Sequence, residues 1–306
     1  VHTIERRQLA TLAVVAAACL FGTTGTVLEN APDGADALGA GALRLLVGGA
    51  ALWTIAAFDR RDAPRPWRRM RSTTLCGGVA VAVYQLSFFL GTTRTGVALA
   101  TVVTIGSGPM FAGVIDVVLH RRPPSAAWLR GTALGVAGVV LLGTVGGVDQ
   151  VDAVGVAAAL TSGLGWAVYA SVGKHQIDGG LDSTASMAGM FVTAAAFTSP
   201  LLLTQHVGWV ASVHGGATML YLGVVTVGVA YTLYGRGLRH LGAPTVITLT
   251  LAEPVTAAVL GVAVLHESVG PWGWVGMALV LGGLFVTARS SVSGGPAPDD
   301  LAATVA

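Results

Sequence analysis

Charge is scarce in this sequence: Asp, Glu, Lys and Arg make up 10% of its 306 residues, and mean hydropathy is +0.73. Ordinary soluble domains carry roughly 25% charged residues, because a folded surface has to meet water. With 53% hydrophobic residues, a chain of this length cannot hide its apolar surface inside a soluble core. A lipid bilayer removes that demand. Cysteine is also sparse. Cys19 and Cys76 sit in or beside apolar stretches, without metal-ligand spacing or a disulfide framework, and read as structural. The Gly-x-x-x-x-Gly-Lys-Ser/Thr phosphate loop is missing, which argues against ATP-driven work by this chain alone. So is His-Glu-x-x-His, and the seven histidines stand near span ends without metal spacing. No metal and no cofactor is therefore expected.

Apolar length is what the chain has in abundance. A transmembrane helix needs about 20 mostly apolar residues, and ten such runs can be read: 9–28, 37–58, 73–93, 96–118, 126–146, 151–172, 184–204, 214–235, 242–264 and 271–289. The segment from His206 to His214 serves as the connection between the seventh and eighth. Most of the 43 glycines fall inside these runs, where they let helix backbones approach closely. Arg6 and Arg7 before an apolar run, with Ala16-Ala17-Ala18-Cys19 inside it, faintly resemble a signal peptide. Nine further spans and the repeat below favour a retained first helix.

Placing the N-terminus in the cytoplasm brings every Lys and Arg except Arg44 and Arg94 to the inner side, including the run Arg60, Arg61, Arg65, Arg68, Arg69 and Arg71. The outer connections then carry Glu29, Asp33, Asp36, Asp149, Asp152 and Glu267. This is the positive-inside bias. It explains the basic stretch 59–71 as a topology signal, not as a nucleic-acid site. An even helix count returns the C-terminus to the cytoplasm, where Ser290 to Ala306 reads as a disordered tail.

Sliding the sequence against itself by 145 residues aligns the first five spans with the last five. Phe21 falls on Trp166, Arg94 on Arg239, Pro109 on Pro254, Gly131 on Gly276 and Gly138 on Gly283. Matches among Ala, Gly, Val and Leu weigh little here; the Pro and Arg pairs weigh more. Each half holds an odd number of helices, so the two halves cross the bilayer in opposite senses. The fold class expected is an all-α membrane protein of about ten transmembrane helices in two inverted five-helix repeats, 9–146 and 151–289, followed by the tail 290–306. Inverted repeats are a recurring solution for alternating access, with the substrate near the midplane.

Several stretches sharpen this. Leu251-Ala252-Glu253-Pro254-Val255 leads into Leu265-His266-Glu267, Arg44 lies in Leu43-Arg44-Leu45-Leu46, and Tyr84-Gln85-Leu86-Ser87-Phe88-Phe89 precedes Gly91 to Thr95. With the proline of the fourth span and the five-plus-five repeat, the chain resembles the EamA-type transporters of the drug/metabolite transporter superfamily over residues 9–289. His266 departs from the pattern, since the family often has glycine there. Gly108 and Arg122 occupy the first-half positions paired with Glu253 and Glu267, so the two halves differ chemically. The resemblance implies a ten-helix inner-membrane carrier of amino acids or related metabolites with a central cavity; it names neither the substrate nor the oligomeric state.

Glu253 is the first candidate for mechanism, because an ionised carboxylate near mid-membrane is costly. It is either a proton-linked or substrate-binding group, or a hydrogen-bonded tie between two helices. Pro109 and Pro254 each remove a backbone donor and free a carbonyl four residues earlier, at Ile105 and Thr250. Matched prolines in inverted halves point to broken or kinked helices beside a cavity, or to simple packing kinks. Arg44 lies about two turns, roughly 9 Å, from the outer end of its helix. It either snorkels to that surface or faces the cavity, where a guanidinium suits carboxylates. Tyr84, Trp166, Tyr169, Tyr231 and Tyr234, with Phe21 and Phe88, offer aromatic faces and phenol donors that suit an amphipathic solute, or interfacial belts. Asp116 is expected to pair with Arg121 or Arg122, and Lys174 to anchor the inner surface.

The expectation is a secondary transporter in the cytoplasmic membrane with both termini inside. It would move a small metabolite by alternating access, outward in preference to inward, with proton coupling through Glu253. Its partners would be the small-molecule substrate and the bilayer. A membrane enzyme would need a convergent nucleophile or metal cluster, and the sequence offers none.

Overall fold

Once water is absent, every backbone amide and carbonyl has to be satisfied within the chain, and helices do this locally. The computed structural model describes residues 2–58, 71–121, 124–145, 152–265 and 270–293. Among them are twelve α-helices and no β-strand: α1 (His2–Glu29), α2 (Ala37–Phe58), α3 (Arg71–Thr95), α4 (Val97–His120), α5 (Ala126–Val145), α6 (Ala153–Asp178), α7 (Ser183–Thr198), α8 (Val213–Leu220), α9 (Ala230–His240), α10 (Ala243–Leu249), α11 (Ala252–Val264) and α12 (Pro271–Ser293). Nine helical runs among the described residues are long and apolar enough to cross a membrane, and α5 contributes a shorter apolar helix. The basic stretch 59–70, Arg122, Asp149, the His266-Glu267 pair and residues 294–306 of the expected tail lie outside the described residues. Helix α12 continues to Ser293, past Ser290 where the tail was expected to begin.

Sequence signals set several boundaries. The Asp152 carboxylate accepts hydrogen bonds from the amides of Val154 (2.8 Å) and Gly155 (2.9 Å) and so starts α6. Asp182 does the same for α7 through Ala185 (3.0 Å). Between α3 and α4 the chain reverses through Gly96 alone, at φ 79°, a conformation glycine adopts without steric cost.

The later spans depart from plain helices. The seventh ends in a 3₁₀ turn, Ser199–Leu203, and a second 3₁₀ turn, Gly208–Ala211, forms within the connection read between His206 and His214. The eighth joins α8 to α9 through a π-helical stretch, Tyr221–Val229. Its side chains mesh with α2: Val227 sits against Gly48, and Gly223 against Val47. The ninth is broken at Thr250–Leu251 into α10 and α11.

The two halves are exchanged in packing. Helix α6, the first of the second half, runs along α3 and α4 of the first. Helix α1 in turn packs along α9 and α11 of the second half, α2 against α7, and α5 against α12. Each contact between halves therefore has its counterpart under the repeat. The α5–α12 seam is close: a Cβ on Gly283 would lie 2.5 Å from the Gly131 carbonyl oxygen and 2.6 Å from the Gly135 nitrogen. Backbones touch there because the side chains are hydrogens. Large apolar groups such as Leu12, Phe58, Leu119, Trp272 and Phe285 stay exposed, forming the face that lipid would cover.

Candidate functional site

A small cavity opens where the halves meet, bounded by Arg44, Leu45, Val81, Tyr84, Gln85, Phe191, Val227 and Tyr231. Helices α2 and α3 supply one wall; α7, the π-helical stretch and α9 supply the other. In this conformation it is narrow, with room for about one water. Any larger solute needs the walls to part.

Arg44 is the cation of this cavity. Its Nη2 donates to the Thr226 carbonyl at 3.4 Å, a length at which a hydrogen bond is weak. Its Nε is buried and has no partner. Thr226 belongs to the π-helical stretch, so the contact joins α2 to the irregular part of the eighth span. A half-buried guanidinium without a carboxylate partner among the described residues is a costly arrangement. The structure thus places Arg44 on the cavity.

Glu253 stands in the first turn of α11, directly after the break in the ninth span. It is partly buried, and its carboxylate has neither a hydrogen bond nor an ion pair among the described residues. Gly22 of α1 lies against its backbone: a Cβ there would approach the Glu253 carbonyl oxygen at 2.6 Å.

Behind the cavity lies an aromatic core. The Phe191 and Tyr231 rings are 4.1 Å apart, Phe21 and Tyr231 4.9 Å, Tyr231 and Tyr234 5.6 Å, and Tyr84 and Tyr169 6.0 Å. The Tyr169 and Tyr231 hydroxyls share a hydrogen bond of 3.1 Å. Of the expected aromatic residues, Tyr84 and Tyr231 border the cavity. Trp166, Tyr169 and Tyr234 are buried behind that wall. The Trp166 ring covers Gly108, at 2.7 Å from where a Cβ would stand. Gly108 is the repeat partner of Glu253, so in the first half an indole lies against the position that bears a carboxylate in the second.

The two prolines do not behave alike. Helix α4 passes through Pro109 without interruption, whereas the ninth span breaks just before Pro254. The threonines near the two prolines also bond differently. Around the break Thr248 and Thr250 donate to the carbonyls of Pro244 (2.9 Å) and Ile247 (2.8 Å), and the Glu253 amide donates to the Thr250 carbonyl at 2.9 Å. In α4 the Thr104 hydroxyl instead leaves its helix for the Ala159 carbonyl of α6, at 3.1 Å.

Several other charged residues find partners among the described residues. Asp116 contacts His120, one turn on, with its Oδ1 3.1 Å from the ring Nδ1. Arg121 caps α4 in a left-handed conformation at φ 53°, and Arg122 lies outside the described residues. Lys174 pairs with Asp178 at 2.5 Å. Arg94 reaches Asp152 at 3.8 Å, tying α3 to the start of α6. Five of the lining residues, Leu45, Val81, Gln85, Phe191 and Val227, were not singled out as site candidates from sequence, nor was the Thr226 carbonyl that accepts from Arg44. Gln85 carried a usable signal, a carboxamide within an apolar run. Phe191 and the Thr226 carbonyl carried none, because apolar residues and backbone carbonyls are everywhere in such helices. Among the described residues no three His, Cys, Asp or Glu side chains group to hold a metal.

With the geometry in place, comparison with known proteins is informative. The EamA-like transporter family matches residues 8–144 and again 153–289. The chain is 35% identical over 275 residues to the uncharacterized transporter YwfM of Bacillus subtilis (strain 168), covering 90% of this chain and 92% of that protein. It is 29% identical over 250 residues to the threonine/homoserine exporter RhtA of Escherichia coli (strain K12), covering 76% of this chain and 75% of RhtA. A protein of known crystal structure superposes with a TM-score of 0.77 at 21% identity, over 91% of this chain and 97% of the other; that likeness concerns the fold alone.

Proposed function

Since the chain belongs to the EamA-like transporter family, we propose that it is a secondary transporter that moves an amino acid or a related organic solute out of the cell by alternating access. It sits in the cytoplasmic membrane with both termini inside, and Glu253 links transport to protons. The observation that carries this reading is the cavity at the seam of the two halves. One wall presents the Arg44 cation, and the Glu253 carboxylate, without a partner among the described residues, opens α11 just after the break in the ninth span. Two groups of opposite charge that do not neutralise each other suit a small solute bearing both charges.

The narrowness of the cavity fits an occluded stage of the cycle. Opening to either side has to part the walls, and the irregular eighth and ninth spans are where helices bend at least cost. The export direction leans on RhtA, whose name describes an exporter. The test is solute counterflow in proteoliposomes holding the purified chain, with a panel of amino acids and organic acids at two pH values. Transport of at least one member, faster with an imposed proton gradient, is the expected result. No counterflow of any solute above protein-free liposomes overturns the reading.

A further inference from the structure

We infer that Arg44 is the carboxylate receptor of the cavity, and that in the empty transporter the Thr226 carbonyl holds the place of the solute's carboxylate. The inference rests on the transport reading and deepens it. A guanidinium offers five N–H donors in a fixed planar fork and stays charged at every physiological pH. Here its contacts use that capacity poorly. Nη2 reaches a neutral carbonyl at 3.4 Å, and Nε is buried without a partner. No carboxylate among the described residues lies within ion-pair distance of Arg44.

The surroundings favour a carboxylate over other occupants. Gln85 and Tyr84 line the same wall and bring an amide N–H and a phenol O–H that can donate to oxygen. The remaining walls, Leu45, Val81, Phe191 and Val227, are apolar and exclude water, which strengthens a charge-assisted hydrogen bond. Tyr231 presents its ring opposite, and the Glu253 charge remains to balance a cationic group on the same solute. When a carboxylate enters, Nε gains its missing acceptor and the long bond to Thr226 is exchanged for a short one. Release of Thr226 loosens a polar tie between α2 and the π-helical stretch, so the same event that seats the solute frees the eighth span to move.

The experiment is binding to purified protein in detergent, followed by thermal shift and calorimetry, with matched pairs of L-amino acids and their carboxamides, threonine and homoserine among them. In the wild type, acids of at least one pair bind more tightly than the amide by more than about tenfold. Arg44→Gln brings acid and amide to equal affinity, Arg44→Lys keeps the preference in weakened form, and size-exclusion profiles confirm folded protein. A merely structural arginine predicts something else: both members of each pair lose affinity together in Arg44→Gln, with their ratio unchanged. That result overturns the inference, as does an amide that binds wild-type protein as well as its acid. Counterflow separates the two ideas. If only solutes without a carboxylate are transported, Arg44 is not the receptor while transport stands; if nothing is transported, both fall.

Discussion

At position 253 a carboxylate sits without a partner at the start of α11, while the equivalent place in the first half holds Gly108 under the Trp166 ring. The second half therefore carries a charge here that its repeat partner in the first half lacks. If it carries protons, Glu253→Gln keeps size and hydrogen-bonding shape but loses ionisation. Reconstituted Glu253→Gln is expected to transport more slowly than wild type by about tenfold or more, in the range that general acid–base groups contribute, with a rate that no longer varies with pH. A wild-type rate and pH profile in that variant would remove the proton role. The neighbouring tyrosines offer a contrast in stability. Tyr169→Phe removes a buried hydroxyl bonded to Tyr231 at 3.1 Å, and since Tyr231 borders the cavity it can turn to water. A loss of about 0.5–1.5 kcal/mol in reversible unfolding is expected, with transport retained.

Helix pairs are the scale at which glycine and buried amides act. Gly283 and Gly282 are adjacent on α12, yet a Cβ on the first meets the backbone of Gly131 and Gly135, while on the second it meets nothing within 4 Å. Gly283→Ala has to push α12 off α5 and is expected to cost about 1–3 kcal/mol. Gly282→Ala keeps or slightly raises stability through helix propensity. Equal melting temperatures for the two variants would contradict the seam. At another contact Gln176, fully buried on α6, donates to Thr73 (3.1 Å) and Thr74 (2.9 Å) of α3 and accepts from Ser186 of α7 (2.7 Å). This clasp joins three helices through one side chain. Gln176→Ala leaves three hydroxyls without that partner and is expected to lower stability by about 1–3 kcal/mol, read as a fall in melting temperature.

Across the whole molecule, the exchange of α1 and α6 between halves is what makes a two-fold assembly of two units that neither half could close alone. Because each half has five spans, loops related by the repeat should face opposite sides. Asp33, between α1 and α2, and Asp178, at the end of α6, are such a pair separated by 145 residues, and both are exposed. With Cys19 and Cys76 replaced by serine, Asp33→Cys is expected to react with an impermeant thiol reagent added to intact cells, and Asp178→Cys only after permeabilisation. Reaction of both from the same side would refute the inverted arrangement. Loss of the exposed Lys174–Asp178 pair in the second variant is worth little, so the labelling reads topology and not damage.

Composition and order along the chain were enough to determine the environment, the helix count, the repeat and the family likeness, because solvent and periodicity act on local stretches that can be read one at a time. They also marked Arg44, Tyr84, Tyr231 and Glu253 as unusual residues for their surroundings. Tertiary packing alone decided which of the aromatic residues reach the cavity and which are covered, that Pro109 leaves its helix whole while the ninth span breaks before Pro254, and that the eighth span widens at Tyr221–Val229 against α2. These depend on what each helix touches across the bundle. A side chain's direction relative to a distant helix is set by contacts between residues far apart in sequence, and no local pattern encodes it.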